Sequence, residues 1–190
     1  LDTLFVAGDF GFVWRSKERE KNLKKLAKLP YKILFIDGYH EDFVALSAYP
    51  DTVYRGAAAK EIAKDKIYYI KRGEILQTDD VKILCFGGAD DPTDDLFSDN
   101  VPNEKDFENC LANLEKVGGS VDYIITHSPS GRTVRFLDLN SNATGATLDF
   151  LDILQSKVRY KKWYFGCGHK DKYISPKMQA VYEEVYKLGE

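Results

Sequence analysis

All three histidines of the chain follow apolar, strand-like runs within short motifs that carry glycine or proline. His40 lies in Asp37-Gly38-Tyr39-His40-Glu41, His127 in Thr126-His127-Ser128-Pro129, and His169 in Gly166-Cys167-Gly168-His169. A fourth run, Leu4-Phe5-Val6-Ala7, ends in Gly8-Asp9-Phe10-Gly11. Four strand exits that carry Asp, His, His and His suggest one rim of a sheet, where open α/β folds place their ligands. Carboxylate oxygen and imidazole nitrogen are hard and borderline donors, so the first chemistry to consider is a divalent metal site.

The elements that must position these residues can be read from periodicity and punctuation. Leu4–Ala7 and Lys32–Ile36 are short apolar runs of the kind buried strands make. Ser16 is placed to cap a helix that runs to about Leu29 before Pro30, and Glu41–Ala48 allows a short helix. Ile67–Ile70, Glu74–Gln77 and Val81–Phe86 read as strands, with Arg72-Gly73 and Asp79-Asp80 at the turns. Asn103 opens a helix whose apolar face is Phe107, Cys110, Leu111, Leu114 and Val117, and Gly118 ends it. Val121–Thr126 is a further strand. The polar stretch Ser128–Ala146 reads as a long loop. Thr147–Leu154 is a helix, Lys162–Phe165 a strand, and Lys172–Ser175 with Gln179–Val185 a closing hairpin. The acidic stretch Asp90–Asp99 reads as a solvated loop. Strands outnumber helices, which predicts an α/β or α+β fold of two sheets packed face to face and flanked by helices.

Length and charge bound the function. At 190 residues one domain, 1–190, is expected. A net charge of −3 with both signs interspersed gives no support for a broad nucleic-acid-binding face. No apolar run approaches membrane-span length and no signal-peptide pattern opens the chain, so no membrane partner is expected. Cys85, Cys110 and Cys167 are odd in number and widely spaced, which argues against a disulfide framework and for a cytoplasmic protein. Cys85 and Cys110 read as core residues.

With these motifs in view, the chain resembles the calcineurin-like metallophosphoesterases, and within them the small bacterial and phage branch. The family's ordered motifs are Asp-x-His, Gly-Asp-x-x, Gly-Asn-His-Asp/Glu, a later Gly/Thr-His, and Gly-His-x-His. Gly8-Asp9-Phe10-Gly11 matches the second, Gly38-Tyr39-His40-Glu41 the third except at Tyr39, Thr126-His127-Ser128-Pro129 the fourth, and Gly166-Cys167-Gly168-His169 the fifth except at Cys167. The resemblance implies a β-sandwich of two mixed sheets flanked by helices, with two metal ions over its rim. It implies that Asp9 bridges both metals and that His127 and His169 bind one each, with Cys167 in the place of a ligand. It implies that His40 serves the leaving oxygen without binding metal, while a metal-activated water attacks phosphorus. The implied activity is that of a hydrolase, a phosphatase acting on a phosphomonoester or phosphodiester, with Mn, Fe or Zn as cofactor.

The departures matter as much as the matches. The Asp-x-His motif belongs on a strand before Asp9, and the eight residues ahead of Asp9 contain none, so the first strand and two ligands that the resemblance implies are expected either upstream of Leu1 or lost in a degenerate relative. Tyr39 stands where the family has a neutral Asn ligand, and its phenol is bulkier and longer. Cys167 stands where the family has His, which biases a site towards zinc or iron. A second register, Gly168-His169-Lys170-Asp171, would make Asp171 the final ligand. Fewer than two metals are expected, and two readings follow: a metal-dependent phosphoesterase of impaired capacity, or a catalytically degenerate relative that binds a ligand or partner without turnover. A serine or cysteine hydrolase is disfavoured, since no Gly-x-Ser-x-Gly elbow is present. Each candidate also has a plain structural reading. Asp9 suits a turn, His40 and His169 a charged surface, His127 a turn before Ser-Pro, Cys167 a tight bend and Tyr39 simple packing. Arg132 and Arg135 suit either a phosphate or the surface.

Overall fold

The computed structural model describes residues 2–78, 80–90, 99–137 and 144–189. Two mixed sheets stack face to face with helices on their outer sides. The first sheet contains β1 (Thr3–Ala7), β2 (Lys32–Ile36), β5 (Ile67–Ile70), β4 (Ala57–Ala63) and β3 (Asp51–Tyr54), in that spatial order. The second runs β10 (Lys172–Ser175), β11 (Met178–Ala180), β9 (Lys162–Phe165), β8 (Tyr123–Thr126), β7 (Lys82–Phe86) and β6 (Glu74–Gln77). The helices are α1 (Arg19–Leu26), α2 (Phe43–Ser47), α3 (Glu104–Lys116), α4 (Gly131–Phe136) and α5 (Ala146–Lys157). Among the described residues no helix is long and apolar enough to cross a membrane.

Each sheet has a parallel block, which in the first sheet extends to the edge at β1. β1, β2 and β5 run together in one, and β7, β8 and β9 in the other. Such strands are covered on both faces and therefore read as unbroken apolar runs, not as alternations. In β2, Leu34 and Ile36 face the other sheet while Ile33 and Phe35 face α1 and α2. In the second sheet Cys85 and Ile125 point inward, and Leu84, Phe86, Ile124, Trp163 and Phe165 pack under α3 and α5. The sandwich thus has three apolar layers, one between the sheets and one beneath each set of helices.

Most of the expected elements are present, with differences that have local causes. The first helix starts at Arg19 and has no side-chain cap; Ser16 instead accepts the Arg19 N–H through its main-chain carbonyl. The hairpin β3–β4 lies in a stretch left unassigned by pattern. Its turn, Arg55-Gly56, has both residues at positive φ, the conformation a tight two-residue hairpin turn demands. α3 opens with the full capping box, Asn103 and Asp106 each accepting the other's backbone N–H. The polar loop after β8 holds α4, capped by Ser130, whose hydroxyl accepts the Thr133 N–H. Asp90 caps α5 from a distance by accepting the N–H groups of Thr147 and Leu148. Residues 91–98 of the acidic stretch, residues 138–143 of the polar loop and Asp79 of an expected turn lie outside the described residues.

Trp163 anchors the outer layer of the second sheet. It is fully buried, and its indole N–H donates to Thr126 Oγ1 at 2.8 Å. Trp163→Ala is expected to cost about 3–5 kcal/mol, read as a lower denaturation midpoint with an unchanged slope.

Candidate functional site

Parallel strands send their C-terminal ends to the same side, so the exits of β1, β2, β8 and β9 gather at one rim. The chain's polar motifs sit there. Asp9 follows β1 in a left-handed conformation, φ 51°, which Asp tolerates better than most residues. Its Oδ1 accepts the backbone N–H of His40 at 2.8 Å, joining the exits of β1 and β2. Its Oδ2 lies 3.7 Å from His40 Nδ1 and 3.8 Å from His127 Nε2. One carboxylate oxygen is therefore flanked by two imidazoles drawn from two different sheets.

Two glycines make this approach possible. A Cβ on Gly8, which also has a φ of 97°, would strike the His127 ring, and a Cβ on Gly38 would strike the Asp9 carboxyl. Both positions belong to the motifs singled out by sequence, and close backbone approach is the physical reason for glycine at each.

The orientation of His127 is defined by its other nitrogen. Nδ1 lies 3.0 Å from the Ala7 carbonyl oxygen, which can only accept. Nδ1 therefore carries the proton, and Nε2, the nitrogen turned towards Asp9, is left with its lone pair in the neutral ring. This arrangement, a backbone acceptor on one nitrogen and a free donor pair on the other, is what a metal-binding imidazole requires. The spacing also fits. With metal–oxygen and metal–nitrogen bonds of about 2.0–2.2 Å, two ligands sharing an ion stand about 3–4 Å apart. Among the described residues no group of three or more His, Cys, Asp and Glu side chains is close enough to hold a metal ion.

The remaining candidates are less well placed. Cys167 is half-buried, and its backbone N–H is tied to the His127 carbonyl at 2.9 Å. Burial, and then the Asp9 carboxylate, push its thiol up, which keeps it protonated and a poor ligand in the absence of a metal. His169 lines the same groove as Asp9 and His127. Its exposed ring is stacked on Tyr182, with centroids 5.1 Å apart. Tyr39 sets its ring edge-on to His40. Asp171, the ligand of the second register, accepts the N–H groups of Tyr182, Glu183 and Glu184. Arg135 is paired with Asp152 at 3.1 Å, and the Arg132 N–H donates to the same carboxylate.

Behind the rim lies a buried polar cluster that pattern reading did not assign. Asp37, fully buried, accepts from Tyr69 Oη and from Arg72 Nε, the latter at 2.8 Å. Arg72 reaches on to Asp106 at the start of α3 and to the carbonyls of Asp99 and Val101. Glu41 accepts the Phe10 N–H on Oε1, while Oε2 is buried without a partner. Asn100 bonds the Glu41 main chain. The available signal was two acidic residues, Asp37 and Glu41, flanking a glycine motif directly after a buried strand.

The chain matches no model of a known protein family and no curated protein. The geometry of the rim is therefore the firmest ground for a functional reading.

Burial pushes the Glu41 carboxyl up to about 8, against the Phe10 hydrogen bond and with the help of Asp37 and Asp9. The unfolded chain releases this proton near 4.5 and the folded chain near 8. Glu41 therefore favours the folded state fully only below the lower value, and stability falls as pH rises between the two. Glu41→Gln keeps the acceptor for Phe10 and cannot ionise. Its stability relative to the parent chain is expected to rise from pH 5 to pH 8, by at most about 1.4 kcal/mol per pH unit. Urea denaturation across that range checks this.

Proposed function

We propose that the chain is a metal-dependent phosphoesterase of the calcineurin-like kind, working at reduced capacity, with Asp9 and His127 as its principal metal ligands. The observation that carries this reading is the His127 ring, pinned through Nδ1 to Ala7 and turned with Nε2 towards the Asp9 carboxylate, 3.8 Å away. A divalent ion, when bound, supplies charge to polarise phosphate oxygens and lowers the pKa of a coordinated water. Asp9 and His127 would hold it. Mn, Fe and Zn all suit an oxygen–nitrogen donor pair.

His40 is positioned for proton transfer. Its side chain is about half exposed and stands beside Asp9, on the open side of the rim. A phosphate ester placed against Asp9 and His127 would present its leaving oxygen to this imidazole, a side chain suited to general acid catalysis. The backbone N–H of His40 donates to Asp9, which holds the start of its side chain beside the carboxylate.

A second reading, a site that binds a ligand without turning it over, draws on Cys167 and His169. One presents a neutral thiol and the other stacks its ring on Tyr182. Both positions would have to change state to complete a dinuclear centre. This is why reduced capacity, with fewer than two tightly held ions, is part of the proposal.

Calorimetric titration with Mn(II) and Zn(II), alongside hydrolysis of bis-p-nitrophenyl phosphate, tests the assignment. Asp9→Asn and His127→Ala are expected to abolish tight metal binding and turnover together. His40→Ala is expected to retain the metal and to lower kcat about a hundredfold or more. The double change Tyr39→Asn with Cys167→His is expected to raise metal affinity about tenfold or more. Undiminished metal binding by His127→Ala would overturn the ligand assignment, and metal binding with no turnover by the parent chain would favour the second reading.

A further inference from the structure

The left-handed turn that carries Asp9 is gripped twice by one segment. His40 donates its backbone N–H to Asp9 Oδ1 at 2.8 Å, which fixes the carboxylate. Glu41, the next residue, accepts the Phe10 N–H on Oε1, also at 2.8 Å. That N–H lies in the peptide plane between Asp9 and Phe10, so the second bond fixes the rotation ψ of Asp9. Side chain and main chain of Asp9 are thus both tied to the segment that leaves β2. The Phe10 ring holds the other side of the turn, since it is buried and stacked on Phe35 with centroids 4.2 Å apart.

The grip has its own support. Asn100, only 1% exposed, accepts the Glu41 N–H on Oδ1 at 3.2 Å and turns its Nδ2 to the Glu41 carbonyl at 3.5 Å. The Asn100 carbonyl in turn accepts the N–H of Ala89, which follows β7 of the second sheet, at 3.1 Å. A line of hydrogen bonds therefore runs from the second sheet through Asn100, Glu41 and Phe10 to the Asp9 turn. The Glu41 side chain itself lies in the interior, 2% exposed, and its Oε2 has no partner among the described residues. An orphaned buried oxygen costs more than one hydrogen bond contributes, so what this carboxyl supplies is placement of the N–H beside Asp9.

We propose that Glu41 is a positioning residue, which holds the Asp9 carboxylate beside His127 by fixing the Asp9–Phe10 peptide. The effect on metal binding rests on the site proposed above, whereas the placement of Asp9 does not. Left-handed backbone is an uncommon state for Asp. Without the Phe10 bond the turn relaxes, and Oδ2 leaves the place 3.8 Å from His127 Nε2. A ligand displaced by a fraction of an ångström holds its ion less well, and partners that orient a ligand are worth about 10–100-fold in metal affinity.

The test titrates Zn(II) and Mn(II) into the parent chain, Glu41→Gln, Glu41→Leu and Glu41→Asp by calorimetry, and follows the metal-free proteins by NMR. Gln keeps an acceptor at the same reach and is expected to bind metal within about twofold of the parent. Leu removes the acceptor, and Asp, one methylene shorter, withdraws it from Phe10. Each is expected to weaken metal binding about tenfold or more. The His40 amide proton is expected to keep its downfield position in Gln and to move upfield in Leu and Asp, as its bond to Asp9 loosens. In the parent chain the Phe10 amide is expected to exchange slowly with solvent. An acid with a merely structural role would shift Tm and leave the metal affinity of the folded protein unchanged. Folded Leu and Asp variants that bind metal as the parent does overturn the proposal, as does a parent Phe10 amide that exchanges as fast as one in an open turn. A parent chain that binds no metal overturns the phosphoesterase reading instead. The His40 amide then decides the placement, and a resonance unmoved in Leu and Asp overturns it.

Discussion

The hydrogen bond between the His127 ring and the Ala7 carbonyl joins the two sheets at the rim where the polar motifs gather. Ala7 ends β1 in one sheet and His127 follows β8 in the other. The bond therefore does two things at once. It closes the sandwich at the place where the strand ends would otherwise splay, and it selects the tautomer of the imidazole that faces Asp9. Gly8 admits the ring across the gap between the sheets, and Gly38 admits the Asp9 carboxylate within the first sheet. Were the sheets further apart, the ring would lose the Ala7 carbonyl and stand away from Asp9.

The cluster beneath the rim shows how the protein accommodates charge in a dry place. Asp37 and Arg72 are both buried, and each satisfies several partners, so the pair avoids the penalty of an isolated ion. Its geometric consequence is connection. Arg72 ties the exit of β2 to the start of α3 and to the main chain around residues 99–101. Glu41 is the exception. It has one partner and one orphan oxygen, and burial keeps it protonated at neutral pH. A neutral acid at this position adds no second negative charge behind Asp9.

Much of this was legible in the residues. The runs at Lys32–Ile36, Ile67–Ile70 and Lys162–Phe165 became strands because continuous apolar runs of that length suit parallel positions buried on both faces. The α3 helix was visible from its cap and its apolar face together. The hairpin β3–β4 was not, because its strands mix alanine, lysine and glutamate and only the Arg55-Gly56 turn marks it. At the site, Asp9, His40 and His127 were picked out by their place after strands, and they do converge. His169 was picked by the same rule, yet its ring stacks on Tyr182, a residue thirteen positions later whose path no local pattern discloses.

The residues alone determined which segments are strands and that four of them end in groups able to hold a cation, because burial on both faces and tight polar turns leave local marks on composition. The reason glycine stands at positions 8 and 38, the His127 ring and the Asp9 carboxyl lying against them, belongs to the tertiary structure. Only the tertiary structure decided which side chains share a space, that Asp37 and Arg72 pair, and that β1 is left at an edge beside a groove. Those outcomes depend on sheet order and on how closely two layers stack, and both are set by the sum of many distant contacts.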